Sequence, residues 1–276
     1  MRPFHALLLA AATLSGAPAS AQTQRVDIEP PARRLETRTA FSSAKTGPAA
    51  IGVDADVYCS GWLGETDERF FCRVASAEKV DTQSVFGPLD RLYLDIGNDR
   101  GVQEGQEFWI CRPDTLVAVA GAPEKTLGRL YRTPARAKVV CVQERSSIAV
   151  IVSACDEVEV GDMLLPFEPI PIPLVRRTRQ VNTCDPPSGR SKGHIVHAFD
   201  GAVSVTQHSI VYLDLGDRDG LTPGDFLTVF RTRHAAGATR TLLGEAAILM
   251  TRDRTAVAKI MVATDAILVG DEVELK

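Results

Sequence analysis

The chain has 276 residues, with 31 Lys and Arg against 35 Asp and Glu and a formal net charge of −4. This weakly acidic balance argues against nucleic-acid binding, which is expected to need a basic stripe. Beyond the first residues, no stretch approaches the roughly 18 uninterrupted apolar residues of a transmembrane helix. The composition therefore excludes nucleic acid as a partner and predicts no transmembrane segment.

Residues 1–21 have the features of a secretory signal peptide. Arg2 supplies a positive start, residues 6–14 are apolar, and Ala19 and Ala21 form a small-x-small site. Such a segment is too short to span a membrane. We expect cleavage after Ala21 and export to the periplasm. No cysteine stands at the cleavage point, so a lipid anchor is not indicated.

Residues 22–56 are polar, rich in Pro and Ala, and without periodicity. Such a segment buries too little apolar surface to fold alone. The sequence predicts a disordered tether.

The rest of the chain contains an internal repeat. The segment 92–112, LYLDIGNDRGVQEGQEFWICR, aligns without gaps with 211–231, VYLDLGDRDGLTPGDFLTVFR, and 137–162 aligns in the same way with 246–271. Two copies of this length are typical of two domains of one kind. We predict modules at 57–167 and 184–276.

Each copy has short runs of β-branched and aromatic residues that stop at glycine, which is typical of strands. The pattern predicts an all-β fold of two tandem small antiparallel modules, each a barrel or a sandwich, with a barrel favoured. The copies differ in length at one predicted loop, 113–136 in the first and 232–245 in the second (24 residues against 14). Between the modules, the prolines of residues 168–183 predict a semi-rigid linker.

The repeated glycines and aspartates invite a phosphate or a calcium interpretation. A phosphate loop should open onto a helix, whereas here a strand follows. A calcium loop should keep its ligands, but Asp217, Asp219 and Asp225 become Asn98, Arg100 and Gln106 in the first copy. We therefore predict structural turns and no metal or cofactor site. The predicted turn residues are Asp95, Gly97, Gly101, Gly105, Gly161, Asp162, Asp214, Gly216, Gly220, Gly224, Gly270 and Asp271. Arg145 and Arg254, which also recur, are expected at exposed hairpin tips.

A catalytic constellation is difficult to assemble from this sequence. His194 and His197 resemble a metal pair, but residues three apart on a strand point to opposite faces. Nucleophile-elbow, His-Glu-x-x-His and Cys-x-x-Cys motifs are missing from the sequence. We predict no catalytic residues, and a hydrolase using His194 or His197 is the least favoured alternative.

Six cysteines in an exported chain favour disulfides. They are Cys59, Cys72, Cys111, Cys141, Cys155 and Cys184. Cys111 and Cys141 correspond to apolar Phe230 and Met250 and lie on strands that should be neighbours, so we predict that they pair. The alternative is two buried free thiols. Cys59–Cys72 and Cys155–Cys184 are nearest-neighbour guesses.

YLDLGDRDGLTPGDFLTVFR, LLGEAAILMTRDRTAVAKIM and ILVGDEV resemble the C-terminal β-barrel module of bacterial flagellar assembly protein T. Stretches of the first copy, such as PARAKVVCVQERSSIAVIV and VEVGDMLLP, are similar to related modules of exported proteobacterial proteins that carry a LysM domain. LysM itself and the N-terminal domains of the flagellar protein are not recognised here. The resemblance implies a non-catalytic periplasmic barrel module of a cell-envelope assembly, without a flagellar role.

We therefore expect a non-enzymatic binding or scaffold protein whose partner is an unidentified envelope protein. Direct peptidoglycan binding is the alternative that the LysM-linked relatives prompt.

Overall fold

The computed structural model describes residues 49–175, 182, 185–233 and 239–276. The predicted signal peptide, most of the predicted tether and Cys184 lie outside these residues. The described chain is almost entirely β-structure and contains two closed six-stranded antiparallel barrels. This confirms the predicted fold class.

The first barrel is preceded by a short strand, a one-turn helix and an added strand. The elements of this half are β1 (Ala49–Ala50), α1 (Asp54–Tyr58), β2 (Trp62–Gly64), β3 (Cys72–Ala77), β4 (Val85–Phe86), β5 (Arg91–Leu94), β6 (Glu107–Val119), β7 (Ala122–Val142), β8 (Ser147–Ala154), β9 (Val158–Glu159) and β10 (Met163–Pro166). The barrel runs β7-β6-β10-β3-β5-β8 and closes because β8 pairs with both β5 and β7. β2 lies outside it, paired with β7.

The second barrel repeats this order. Its elements, after the short β11 (Leu174–Val175), are β12 (Lys192–Ala198), β13 (Ser204–Val205), β14 (Ile210–Leu213), β15 (Phe226–Arg233), β16 (Thr239–Thr251), β17 (Ala256–Ala263), β18 (Ile267–Leu268) and β19 (Glu272–Leu275). The closed order is β12-β14-β17-β16-β15-β19. A 3₁₀ turn follows β5 at Asn98–Arg100 and β14 at Asp217–Asp219.

Each barrel has its own core, formed by the alternate residues along each strand that face inward. Leu94, Phe108 and Ile151 are fully buried in the first core, and Leu213 and Ile260 occupy the second. Alternation with a period of two places every second residue on the inner face. The apolar runs seen in the sequence are these inner faces.

The insertion in the first copy is a β-hairpin, which corrects the prediction of a loop at 113–136. β6 continues to Val119 and β7 starts at Ala122, so the two strands pair far beyond the barrel. Residues 113–131 form this extension, called the arm below. Its irregular register, with shifts such as that between Pro113 and Leu116, explains why no clean alternation marks it in the sequence.

The arm, α1 and β2 pack against the outer face of the second barrel. The fully or largely buried members of this third apolar cluster are Ile51, Val57, Leu63, Val117, Leu130, Val196, Tyr212, Ala247, Leu249 and Val257. Because this cluster combines the arm, α1 and β2 with the second barrel, the two halves of the described chain share one core.

Residues 49–56, which the sequence assigned to the tether, are ordered. β1 pairs with β11, joining Ala49 to Val175 and Ala50 to Leu174, and α1 begins at Asp54. Ile51 is buried in the third cluster and donates its N–H to Pro173 O. The pairing of β1 with β11 thus connects the first described residues to the predicted linker.

Among the described residues the disulfide is Cys59–Cys155, with Cα atoms 5.5 Å apart, and it corrects the predicted pairings Cys59–Cys72 and Cys155–Cys184. β6 and β7 are neighbours as expected, but their register pairs Glu107 with Lys138 and Ile110 with Ala135. Cys111 and Cys141 therefore lie at opposite ends of this stretch of the ladder, and both are free. Cys72 is also free and buried, so Cys59–Cys72 is wrong, and Cys155 is not available to Cys184.

Candidate functional site

The repeated glycines lie in tight turns between strands. Six of them have positive φ, namely Gly101, Gly105, Gly161, Gly220, Gly224 and Gly270. Gly216 has extended backbone, but a Cβ there would lie 2.2 Å from Arg252 O, and Gly97 has the same constraint at 2.4 Å from Gln143 O. These glycines allow close approach of two hairpins.

Two of the aspartates of the second copy that invited a calcium interpretation accept hydrogen bonds from backbone amides through their carboxylates. Asp219 Oδ2 accepts from Gly216 N–H at 2.9 Å, and Asp225 Oδ2 accepts from Thr222 N–H at 2.9 Å. Carboxylates in this arrangement cap turns. Within the described residues, no group of three or more His, Cys, Asp or Glu side chains is arranged to hold a metal ion.

Asp162 and Asp271 each hold the arginine that recurs with them. Arg112 Nε and Nη2 donate to Asp162 at 2.7 and 2.8 Å, and Arg231 makes the same two bonds to Asp271 at 2.6 and 2.8 Å. Both aspartates are nearly fully buried. Bidentate pairs of this kind are strong and geometrically specific. The pair joins β6 to the β9–β10 turn in one barrel and β15 to the β18–β19 turn in the other.

His194 belongs to a structural pair that has a counterpart in the first barrel. Its Nδ1 lies 3.0 Å from Asp214 Oδ2, and its backbone N–H donates to Oδ1 of the same carboxylate. Arg73 occupies the equivalent place and bonds Asp95 through N–H and Nε at 2.8 and 3.0 Å. Because an arginine serves equally well there, the position requires a donor to the aspartate.

His197 lies on a different part of β12, across a bulge from Ile195. Its ring is 6.0 Å from the ring of Tyr212. Burial lowers the pKa of His197, and the nearby Asp114 of the arm opposes that shift. The two histidines therefore have separate partners.

Two of the free cysteines, Cys72 and Cys111, have buried thiols of low reactivity. Burial raises the pKa of Cys72 to about 12, and burial also raises the pKa of the Cys111 thiol strongly. A thiol in this state is a poor nucleophile at neutral pH. Cys141, by contrast, is exposed on β7.

An apolar cavity of about 400 Å³ lies between the two barrels and opens beside β2. We call it the cleft. Trp62 and Trp109 line it from the first half of the chain and Leu249, Met250 and Val257 line it from the second barrel. Pockets of this volume with mostly apolar walls are typical ligand sites.

Aromatic packing makes one wall of the cleft rigid. The Tyr58 ring lies 5.3 Å from Trp109 and 6.0 Å from Phe167, and Trp109 lies 4.9 Å from Phe167. Tyr58 Oη also donates to Ile170 O at 3.0 Å, and Thr133 Oγ1 donates to Tyr58 O at 2.9 Å. α1 is thereby fixed against β6, β7 and the chain after β10.

Polar groups are few and stand at the rim of the cleft. The Arg252 guanidinium lies 5.3 Å from the centre of the Trp62 ring and pairs with Glu68. Further polar residues of the lining are Glu168, Thr133, Thr251 and Thr255. Such sparse polar groups orient a ligand whose buried part is apolar.

A second cavity of about 470 Å³ lies on the other side of Tyr58 and Trp109, beside the Cys59–Cys155 disulfide. Arg136 lines it, with its guanidinium 4.6 Å from the centre of the Phe167 ring. The aromatic wall thus separates two cavities. The disulfide fixes Cys59, which directly follows Tyr58 at the end of α1, and so helps to hold this wall in place.

Reasoning from sequence missed the cleft. Its walls come from the start of the first predicted module, a predicted loop, the predicted linker and the second module, so no single motif spans it. One signal was available in the sequence. Trp62 and Trp109, the two tryptophans of the chain, are not among the residues that are identical in the two copies. Leu227 of the second copy stands where the first has Phe108, and Thr228 where it has Trp109.

No helix among the described residues is long and apolar enough to cross a membrane.

Comparison of the chain with protein-family models gives no match, and comparison with curated proteins gives none either. The resemblance to the flagellar and LysM-linked modules therefore stays a prediction.

Proposed function

We propose that the chain is a non-catalytic periplasmic binding or scaffold protein of a cell-envelope assembly, and that the cleft receives apolar side chains of a partner protein. The observation that carries this proposal is an apolar cavity of about 400 Å³ between two barrels, with Trp62 and Trp109 in its walls. Aromatic residues dominate binding energy at protein interfaces when they line well-packed pockets.

The rigidity of the cleft supports a binding role. Tyr58, Trp109 and Phe167 hold one another within 6.0 Å, and the second barrel contributes the outer face of a closed sheet. A site that is already formed spends little free energy on ordering when a partner arrives.

The chemistry of the cleft favours protein over saccharide. A sugar needs an open aromatic face and many hydrogen-bond partners for its hydroxyl groups. The Trp62 ring is stacked on Tyr131 at 5.5 Å and also lies under the Arg252 guanidinium. Direct peptidoglycan binding is accordingly the less favoured candidate.

A non-catalytic role is supported by the environment of the histidines. His194 is bonded to Asp214 in the place where the first barrel has an arginine on Asp95. His197 lies beside Tyr212, whose buried hydroxyl donates to Ser60 O.

An oxidising compartment is supported by the Cys59–Cys155 disulfide. Together with the predicted signal peptide, the disulfide supports the periplasm as the location.

Photo-crosslinking in living cells tests the proposal. A benzoyl-phenylalanine introduced at Met250, which lines the cleft, should crosslink to a discrete envelope protein. The same group at Val203, which is exposed and does not line the cleft, is the matched control and should give no such adduct. Equal adducts at both positions, or none at Met250, would contradict the proposal.

Co-sedimentation of the purified protein with peptidoglycan sacculi separates the alternative. Retention in the absence of other proteins would favour direct peptidoglycan binding.

A further inference from the structure

On the second barrel, the arm packs against one outer face. The equivalent face of the first barrel is exposed to solvent, and we call it the open face. This open face consists of Tyr93, Val140, Cys141, Ile148 and Val152. By the gap-free alignment of the repeat these correspond to Tyr212, Leu249, Met250, Val257 and Met261. All five counterparts pack in the third apolar cluster. The same surface of the fold is therefore core in one barrel and solvent-facing in the other.

A β-bulge at the same place in both barrels shapes this face. Register shifts occur between Val139 and Cys141 on β7 and between Ile248 and Met250 on β16. A bulge inserts an extra residue and re-aims the neighbouring side chains. Val140 and Cys141 are therefore both exposed, although Val139 before them is buried in the barrel core.

The open face keeps the apolar character of its covered counterpart. Val140 is 41% exposed and Val152 40%, whereas Leu249 is fully buried. Charged residues enter only at the edges, where Lys138 stands in place of Ala247 and Arg91 in place of Ile210. Each has an acidic neighbour, Glu107 at 4.0 Å and Glu78 at 3.2 Å. An apolar centre with a rim of both signs is typical of a protein interface.

The arms of this chain cannot cover the open face. The arm of the first copy is already packed on the second barrel. The corresponding hairpin of the second copy is about ten residues shorter (14 residues against 24) and does not carry such an arm. Head-to-tail association through a second arm is therefore excluded. An isologous contact, in which one surface meets itself across a two-fold axis, covers the open face of both copies at once.

Cys141 gives a chemical reason for the same arrangement. It is an exposed free thiol in a chain that forms a disulfide elsewhere. An unpaired cysteine in an exported protein indicates intermolecular pairing or a reactive thiol. A two-fold axis near Cys141 would bring the two thiols of a dimer together.

We propose that two copies of this chain associate through the open face, with Cys141 of each copy next to the axis. Oxidised glutathione then traps the dimer in two exchange steps. One Cys141 thiolate attacks glutathione disulfide and releases a glutathione thiolate. The second Cys141 thiolate attacks the Cys141 sulfur of the mixed disulfide and releases the other glutathione, so one disulfide is reduced as another forms.

Sedimentation equilibrium of the mature chain tests the contact without the covalent bond. The Cys141→Ser variant should dimerise reversibly, and Val140→Glu in that background should weaken the dimer by at least about tenfold, since it places unpaired charges in the contact. Val203→Glu, at a residue 73% exposed and outside the open face, is the control and should leave the dimer unchanged. Val152→Lys repeats the test at a second position if Val140→Glu loses its far-UV circular dichroism.

Trapping with oxidised glutathione, followed by peptide mapping, tests the position of the axis. The Cys141–Cys141 bridge should form in the wild-type chain and be strongly reduced in Val140→Glu. A chain that stays monomeric, a dimer indifferent to both substitutions, or a Cys141 joined within its own chain to Cys184 would overturn the proposal.

Discussion

The outer faces of the two barrels are built from the same strands, with the same bulge, yet one is buried and the other faces solvent. Tyr212 is 1% exposed and its counterpart Tyr93 is half-buried. The cause is the cover that the arm, α1 and β2 together place over the second barrel. Segments of the first half of the chain thus convert a surface of the second barrel into core.

Polar residues at matched positions show the same contrast. Thr255 Oγ1 donates to Leu63 O at 2.6 Å across the barrel contact, whereas the equivalent Ser146 bonds only the nearby Gln143 side chain. Arg254 Nη2 donates to Leu127 O of the arm at 2.9 Å. Arg145 and Arg254 are both exposed at hairpin tips, as predicted. Repeated residues therefore do not have repeated roles.

The largest expected effect is the loss of the Cys59–Cys155 disulfide, which has no counterpart in the second barrel. It links residues 96 apart in sequence. Closing a loop of this length contributes about 4.7 kcal/mol in the chain-entropy account. The double change Cys59→Ala and Cys155→Ala should lower the free energy of unfolding in urea by that amount. Cys141→Ser, at an exposed free thiol, should change it by less than about 0.5 kcal/mol.

Tyr212→Ala should rank second. It empties a fully buried position of the third cluster and removes the hydroxyl that donates to Ser60 O. We expect a loss of about 3 kcal/mol, against about 1 kcal/mol or less for Tyr93→Ala at the open face, with both changes made in the Val140→Glu background, where the dimer is weakened. Equal losses from the two changes, measured by chemical denaturation, would show that the two faces are equivalent after all.

Thr255→Val sharpens the comparison at a single hydrogen bond. The change leaves Leu63 O without its hydroxyl donor in a buried site and should cost about 1–2 kcal/mol. Ser146→Ala, its matched change in the first barrel, should cost no more than a few tenths of a kcal/mol. A Thr255→Val protein as stable as wild type would mean that water replaces the hydroxyl.

The smallest effect concerns pH. Because burial lowers the pKa of His197, the unfolded chain binds the proton more readily than the folded chain. Its contribution to stability is present above the usual histidine pKa of about 6.5 and is lost as pH falls below it. His197→Gln should flatten this part of the pH dependence of the denaturation midpoint. An unchanged slope between about pH 7 and pH 5 would contradict the assignment to His197.

The fold could be predicted because its evidence is local and repeated. Apolar alternation and glycine turns occur twice in the same order, so β-barrels follow from the pattern alone. The neighbouring position of β6 and β7 was also predicted correctly, but their register was not. Register depends on the inner face of the closed barrel, and an error there moved Cys111 and Cys141 to the wrong places.

The cleft could not be predicted because its residues come together only when the two halves of the chain pack against each other. α1 has a single turn, and β2 has three residues, so neither produces a periodic pattern. The difference in length between the copies indicated a loop at 113–136, where the chain continues as a hairpin through register shifts. Cys59 and Cys155 are distant in sequence, and their pairing follows from the packing of α1 on the end of β8.

The central claim is that the arm and the outer face of the second barrel form one packed core. Equilibrium unfolding of the whole protein tests it, because both tryptophans of the chain line the cleft between the barrels. Their fluorescence reports on the contact, while far-UV circular dichroism reports on the strands of both barrels. Coincident transitions from the two signals are the expected result. Loss of strand signal in one barrel while the tryptophan fluorescence stays native would contradict the claim.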